Sequence, residues 1–400
     1  MRRRDANSAR TAWLVVAGLV VFMLVLAGCG SSSDDSTSGS DSELQKLGKG
    51  EGELNLISWA GYVEPEWVKP FEQESGCKVN NKTGGTSDEM VQLMGSGEYD
   101  GVSASGNASA RLVAAGDVDP VNVDLVPNYA TVFDDLKDQS YNTFEGQPYG
   151  IPHGRGANLL MWNKDDVQPA PTSWGVILDP KQAAKYKGKI SVYDDAIYIA
   201  DAAVYLKAHE PDLGIENPYQ LNEEQFEAAV DLLKEQRSMV GEYWSEAAKQ
   251  IAAFANGDSQ VGTTWQYQYF ELLNEKEPVE SSPASQGFVP DEGATGWSDT
   301  WMISSEAKNP NCMYMWMDWI IEPKINAEVA EWFGEAPAQS LACKETAEAD
   351  FCSKYHAEDP KFWEQVYYWE TPLADCGEES ESEDCVGYPE WVQAWTSIKG

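Results

Sequence analysis

The chain has 400 residues, with 66 Asp and Glu against 28 Lys and Arg, and a formal net charge of −38. So acidic a chain offers no basic footprint to a phosphate backbone, which excludes nucleic acid as a partner. Three His and seven Cys, with no CxxC pair among them, form no metal-ligand pattern, so no metal, no other cofactor and no His-based catalytic centre is expected.

The first 28 residues read as a processing segment. Arg2, Arg3, Arg4 and Arg10 precede an apolar run of 16 residues from Ala12 to Ala27, and Leu26-Ala27-Gly28 leads into Cys29. A basic region, a short apolar region and small residues before a cut make a secretory signal. A cysteine directly after Leu-Ala-Gly resembles a bacterial lipobox, in which Cys29 is lipidated and becomes the first mature residue. The run falls short of the ~20 residues that span a bilayer, so it reads as a signal and not as a transmembrane anchor. Residues 29–51 are a polar Gly/Ser/Asp tether, with a reach of roughly 25 Å for about twenty residues. The mature protein is therefore expected to be exported and held at Cys29 on the outer face of the cytoplasmic membrane, or in the periplasm.

Beyond the tether lie roughly 350 residues, enough for two domains. Without residues 1–28 the chain keeps 24 basic and 65 acidic residues, a net charge of −41. That charge reads first as solubility or salt adaptation, although an acidic exterior also concentrates cationic solutes.

Strand-like and helix-like segments alternate from LNLISWAGYV (54–63) onward. Residues 64–76 form a predicted helix with Pro65 in its first turn and Gly76 at its end. CKVN (77–80) is a short strand. TSDEMVQLMGSG is a helix with Ser87 as its N-cap and Gly95 as its stop. YDGVSASG (99–106) is a strand, and ASARLVAAG a helix closed by Gly116. This β-α-β-α-β order predicts a parallel α/β domain. A second set follows: ANLLMWN and GKISVYDD as strands, and a helix over 222–237 with Phe226, Ala229, Val230 and Leu233 on one face. The helix SEAAKQIAAFANG then feeds the strand SQVGTTW (259–265). MYMWMDWII is an apolar helix, and GEESESED (377–384) a solvated loop.

Two features carry chemistry. Six cysteines remain after Cys29, an even number that suggests disulfides in an exported protein. The spacings of Cys343 with Cys352 and of Cys376 with Cys385 suit short loops, leaving Cys77 with Cys312 by elimination. The second feature is GWSDTW (296–301). Strand alternation puts Trp297, Asp299 and Trp301 on one face, and a carboxylate among indoles needs a positive partner.

Seven segments in one order resemble the extracellular solute-binding proteins of ABC importers, in the spermidine/putrescine-binding branch. They are ISWAGYVEPEWVKPFEQESGCKV, GEYDGVSASG, VPNYATVF, TSWGVILDPK with YKGKISVYDDA, NGDSQVGTTW, GWSDTW, and WIIEPKINAEVAEWFGEAPAQ. The resemblance runs from about Leu54 to Gln339. It implies a two-lobed α/β fold of the periplasmic-binding-protein type, with the ligand in a cleft closed by a hinge. Lobe one would be 52–156 with 298–340, and lobe two 157–297 with 341–400. The implied function is capture of a small cationic, polyamine-like solute, by a monomer, for an ABC permease and its ATPase.

Carried over residue by residue, the resemblance implies a ligand site of Trp59, Tyr62, Ser105, Trp265, Trp297, Asp299 and Asp195. Three positions depart from the family pattern: Asn107 stands where the family has Tyr, Tyr198 where it has Glu, and Glu335 where it has Tyr. A polyamine is an apolar stem with cationic ends, so aromatic walls and fixed carboxylates are what its site needs. Two rival readings remain. Trp, Tyr and carboxylates also bind oligosaccharides, and paired carboxylates serve secreted hydrolases. Adjacent Asp194 and Asp195 point to opposite faces of a strand, and no GxSxG or HExxH motif is present, so a non-enzyme is expected.

Overall fold

The computed structural model describes residues 44–282, 290–376 and 384–400. The signal, Cys29, most of the tether and residues 377–383 of the acidic stretch lie outside the described residues. Strand β1 (Glu53–Ser58) is followed by a helix, Pro65–Ser75, that opens on a proline and ends where Gly76 turns left-handed at φ 73°. Next come β2 (Lys78–Thr83), the helix Ser87–Met94, β3 (Gly101–Ser105), the helix Gly106–Ala115 and β4 (Val118–Asp119). A small hairpin, β5 (Thr143–Phe144) with β6 (Gln147–Pro148), leads into β7 (Ile151–Ala157) and β8 (Leu159–Asn163). Then follow β9 (Ile190–Tyr193), β10 (Val240–Trp244), β11 (Val261–Thr264), β12 (Val279–Ser282), β13 (Ala294–Ser304), β14 (Ala336–Pro337) and β15 (Val366–Tyr368).

One predicted cap moves by a residue. Thr86, not Ser87, caps the second helix, its side chain accepting from the Glu89 N–H. The Ser87 hydroxyl donates instead to Asn107 Oδ1 at 2.9 Å, a tertiary bond that local sequence does not announce.

Apart from the β5–β6 hairpin, the described strands form two sheets, each the core of one lobe. The first runs β14-β7-β13-β3-β1-β2, with β4 and β15 also paired to β13. Its β1, β2 and β3 are parallel, as the alternating pattern predicts, and β13 runs antiparallel to β3 and β7. Trp67, Phe71, Trp301 and Trp316 pack on one face of this sheet, and Ile57, Met90, Val102 and Leu112 on the other. The second sheet runs β10-β9-β11-β8-β12. Its core takes Leu160, Ile190, Leu233 and Val261, with Trp391 and Trp395 from the last helix, Tyr388–Lys399.

The chain crosses between sheets at Asn158, between β7 and β8, and again before β13. The two crossings are tied together: the Asn158 N–H donates to Thr295 O at 2.9 Å and its side-chain amide to Thr295 Oγ1 at 2.6 Å. Disulfides join Cys77 to Cys312, Cys343 to Cys352 and Cys376 to Cys385. These are the three pairs expected from the spacings and by elimination.

Candidate functional site

At 11 residues β13 is the longest strand among those described, and it carries GWSDTW through the middle of the first sheet. Trp297 lies opposite Gly156 and Asp299 opposite Gly154 on β7, while Asp299 also faces Ser105 on β3. Both glycines make room for the site. A Cβ at 156 would stand 2.4 Å from the Trp297 ring, and a Cβ at 154 would stand 2.1 Å from the Glu335 carboxyl. Trp301 shares the strand face but not the cavity. Two residues further along β13 it has passed under the lobe-one core, fully buried edge-on against Trp316 at 5.5 Å. The three side chains therefore do not converge on one open surface.

Trp297 and Asp299 border a cavity of about 650 Å³. Trp59, Thr83, Ser105 and Phe333 also line it, with Tyr193, Trp265, Tyr267 and Trp369. Tyr193 stacks on Trp369, centroids 5.7 Å apart at 15°, and tilts against Trp265 at 5.4 Å. Three carboxylates reach this space: Asp299 in its wall, and Glu246 and Glu271. Glu246 is solvent-exposed and meets Lys249 at 2.7 Å. No Lys, Arg or His is among the residues that line the cavity.

Asp299 is only 2% exposed. Ser105 Oγ donates to its Oδ1 at 2.5 Å and Tyr62 Oη to its Oδ2 at 2.7 Å. Burial pushes its carboxyl up to about 6, with these two hydrogen bonds pulling the other way. Glu335 is fully buried beside it, with Oε2 at 2.9 Å from the same Tyr62 oxygen. Burial first, and then the Asp299 charge, hold Glu335 well above the usual carboxylate range. His153 Nδ1 lies 3.8 Å from Glu335 Oε1, beyond hydrogen-bond range. Burial pushes this imidazole down to about 3, so it is neutral and the contact is no ion pair. His153 Nε2 is bonded to Ser103 Oγ at 2.9 Å.

Of the ten predicted ligand residues, five line the cavity: Trp59, Ser105, Trp265, Trp297 and Asp299. Tyr62 and Glu335 sit directly behind Asp299. The remaining three are elsewhere. Asn107 is fully buried in the first turn of its helix, where it accepts from Ser87. Asp195 caps the turn after β9, its Oδ1 accepting from the Ile197 N–H at 2.9 Å. Tyr198 points into the lobe-two core, where Gln236 donates to its hydroxyl at 3.0 Å. Tyr193, Trp369, Glu246 and Glu271 were not singled out in the sequence. Tyr193 precedes Asp195 by two residues and was open to the same alternation reasoning, whereas nothing local marks Trp369.

An aromatic, acid-bearing cavity on two α/β lobes joined by crossing strands is the architecture that capture of a small solute requires. The chain belongs to the bacterial extracellular solute-binding protein family, which matches residues 66–350. It is 25% identical over 287 residues to the putrescine-binding periplasmic protein SpuD of Pseudomonas aeruginosa, covering 70% of this chain and 76% of that one. In fold it is similar to a spermidine/putrescine ABC transporter protein from Listeria monocytogenes, with a TM-score of 0.70 and 18% identity over 87% of this chain and 99% of the other. It is also similar to the protein MotA of A. tumefaciens B6, solved in complex with glucopine, with a TM-score of 0.65 and 16% identity over 87% of this chain and 100% of the other. Proteins of this family are substrate-binding components of ABC transporters, and relatives of this chain are periplasmic. Among the described residues no helix is long and apolar enough to cross a membrane.

Proposed function

We propose that this protein captures a small organic cation of the polyamine class, putrescine or spermidine in kind, and delivers it to an ABC permease driven by its ATPase. The observation that carries this reading is Asp299. Its carboxylate is buried, oriented by two hydroxyl donors, set in aromatic walls, and faces a cavity lined, among the described residues, by acids and by no basic residue. Cation–π contacts contribute roughly 0.5–2 kcal/mol each, so the rings cover the methylene stem while the carboxylate neutralises an ammonium group. Glu271 offers a carboxylate to a further cationic group, while Glu246 is already paired with Lys249. The name of the sequence relative SpuD agrees with this chemistry, whereas the fold neighbour MotA holds glucopine, and a neutral sugar would give Asp299 no positive partner.

Lobe one is assigned as 52–156 with 298–340 and lobe two as 157–297 with 341–400, the lobes closing about Asn158 and Thr295. The protein acts as a monomer that is not an enzyme, tethered through residues 29–51 to a lipid on Cys29. Mass spectrometry of the mature N-terminus tests the anchor, and an unmodified Cys29 rejects it. For the ligand, thermal shift against putrescine, spermidine, spermine, betaine, amino acids and sugars is decisive, because binding stabilises the folded state by mass action. Amines should raise Tm and neutral sugars should not. A shift with sugars alone rejects the cation reading.

A further inference from the structure

Tyr62 Oη stands between two carboxyl groups, 2.7 Å from Asp299 Oδ2 and 2.9 Å from Glu335 Oε2. A phenol has one proton, so it donates to one of these oxygens and accepts from the other. The second contact therefore needs a proton on a carboxyl group. Which one carries it follows from the surroundings. Asp299 accepts from Ser105 as well and borders the cavity, as an ionised carboxylate should. Glu335 is fully buried against the backbone of Gly154, and its Oε1 has no hydrogen-bond partner. An ionised Glu335 would leave a bare anionic oxygen where nothing donates to it.

Among the described residues no cation faces Glu335 from any element packed against it. From β7 comes His153, neutral and out of hydrogen-bond range. Arg155, two residues on, turns away to Asp135 at 2.6 Å and to Ala357 O at 3.1 Å. Tyr267 and Tyr355 flank Gly334, and burial raises both phenols, which are neutral. From the other side come Tyr62 and Asp299. Phe333 stacks on Tyr62, centroids 4.3 Å apart.

We infer that Glu335 is a protonated positioning residue: it donates its proton to Tyr62 Oη, which fixes the Tyr62 O–H on Asp299 and leaves this end of the cavity with a single negative charge. The inference rests on the proposed function only in its consequence, that one ammonium group suffices to neutralise this end. Glu335 is then no second ligand carboxylate, although it replaces an aromatic residue of the family pattern. A dication whose two charges both had to sit here would have to expel the proton to bulk water.

Infrared spectroscopy of the ligand-free protein at neutral pH reads this directly. Wild type should show a protonated carboxylic-acid carbonyl band that E335Q lacks and that Y62F shifts, since Y62F removes the acceptor. If E335Q does not fold, D299N separates the two carboxyls that touch Tyr62: a band that persists in D299N and shifts in Y62F is that of Glu335, and a band lost in D299N overturns the inference. No band attributable to Glu335 overturns the inference. Calorimetry with putrescine supplies the second arm. E335A, which loses the donor to Tyr62, should weaken binding by about tenfold, and E335Q, whose amide restores a donor, should recover most of it. E335Q no tighter than E335A means that a donor to Tyr62 is not what Glu335 supplies, and the inference fails. Should putrescine not bind wild type at all, the polyamine reading fails while the infrared result still decides the proton.

Discussion

Ser105 and Asp299 face each other across β3 and β13, and the Ser105 hydroxyl donates to Asp299 Oδ1 at 2.5 Å. The sheet register itself thus aims one donor at the carboxylate, while the turn after β1 brings the other, Tyr62. Together they hold an anion in a wall that is otherwise aromatic. Hydrogen bonds to charged groups contribute about 1.5–3 kcal/mol. S105A should therefore weaken putrescine binding by about tenfold or more, measured by calorimetry. An affinity equal to wild type would mean that Tyr62 alone orients the carboxylate.

The Cys77–Cys312 disulfide closes a loop of 235 residues, against 9 for each of the other two. In the chain-entropy model this corresponds to about 5 kcal/mol for the long loop and about 3 kcal/mol for a short one. The double variant C77S/C312S should lower Tm more than C376S/C385S does. Ligand affinity below the transition should persist, because this disulfide lies in the lobe-one core and neither cysteine lines the cavity. Equal Tm losses would contradict the ranking.

Asp201 links the lobe-two helix Ile199–His209 to the crossing at Thr295, whose Oγ1 lies 3.0 Å from Asp201 Oδ1. Burial pushes this carboxyl up to about 7 from an ordinary 3.8, with the Thr295 bond opposing. Folded protein then holds the proton more tightly than unfolded chain, so the contribution of Asp201 to stability is fully present below pH 4 and is lost as the pH rises toward 7. The loss is at most about 4 kcal/mol. D201N should match wild type near pH 4 and exceed it in Tm at pH 8. A less stable D201N at pH 8 would mean that the ionised carboxylate is compensated in the fold.

Trp297 and Trp265 approach the cavity from β13 and from the end of β11. W297A removes an apolar wall without altering charge, so it should weaken putrescine and a longer amine such as spermidine together. Titrations that show a loss for one and not the other would place the stem elsewhere.

Much of this was legible in the sequence because the signals are local. Period-two alternation placed Trp297 and Asp299 on one face, and Pro65 and Gly76 bounded a helix whose ends matched. Cysteine spacing gave the two short loops and, by elimination, the long one. What stayed hidden depends on tertiary contacts. Whether Asp195 and Tyr198 reach the cavity is decided by how the turn after β9 enters the lobe-two core, where Gln236 takes the Tyr198 hydroxyl. Trp369 arrives from a C-terminal segment docked on β13 through its own N–H to Gly296 O at 2.7 Å, beyond the stretch that resembles the family. The proton on Glu335 is a matter of counting donors around one phenol, which needs coordinates.

The most direct test of the cation reading is calorimetry on D299N. Asparagine keeps the size and shape of the side chain and deletes its charge, and removal of one partner of a desolvated charge pair costs about 2–5 kcal/mol. Putrescine affinity should fall by about 30-fold or more, while any uncharged ligand loses far less. An unchanged affinity for every cationic ligand that binds wild type would contradict the account and leave Asp299 a structural carboxylate.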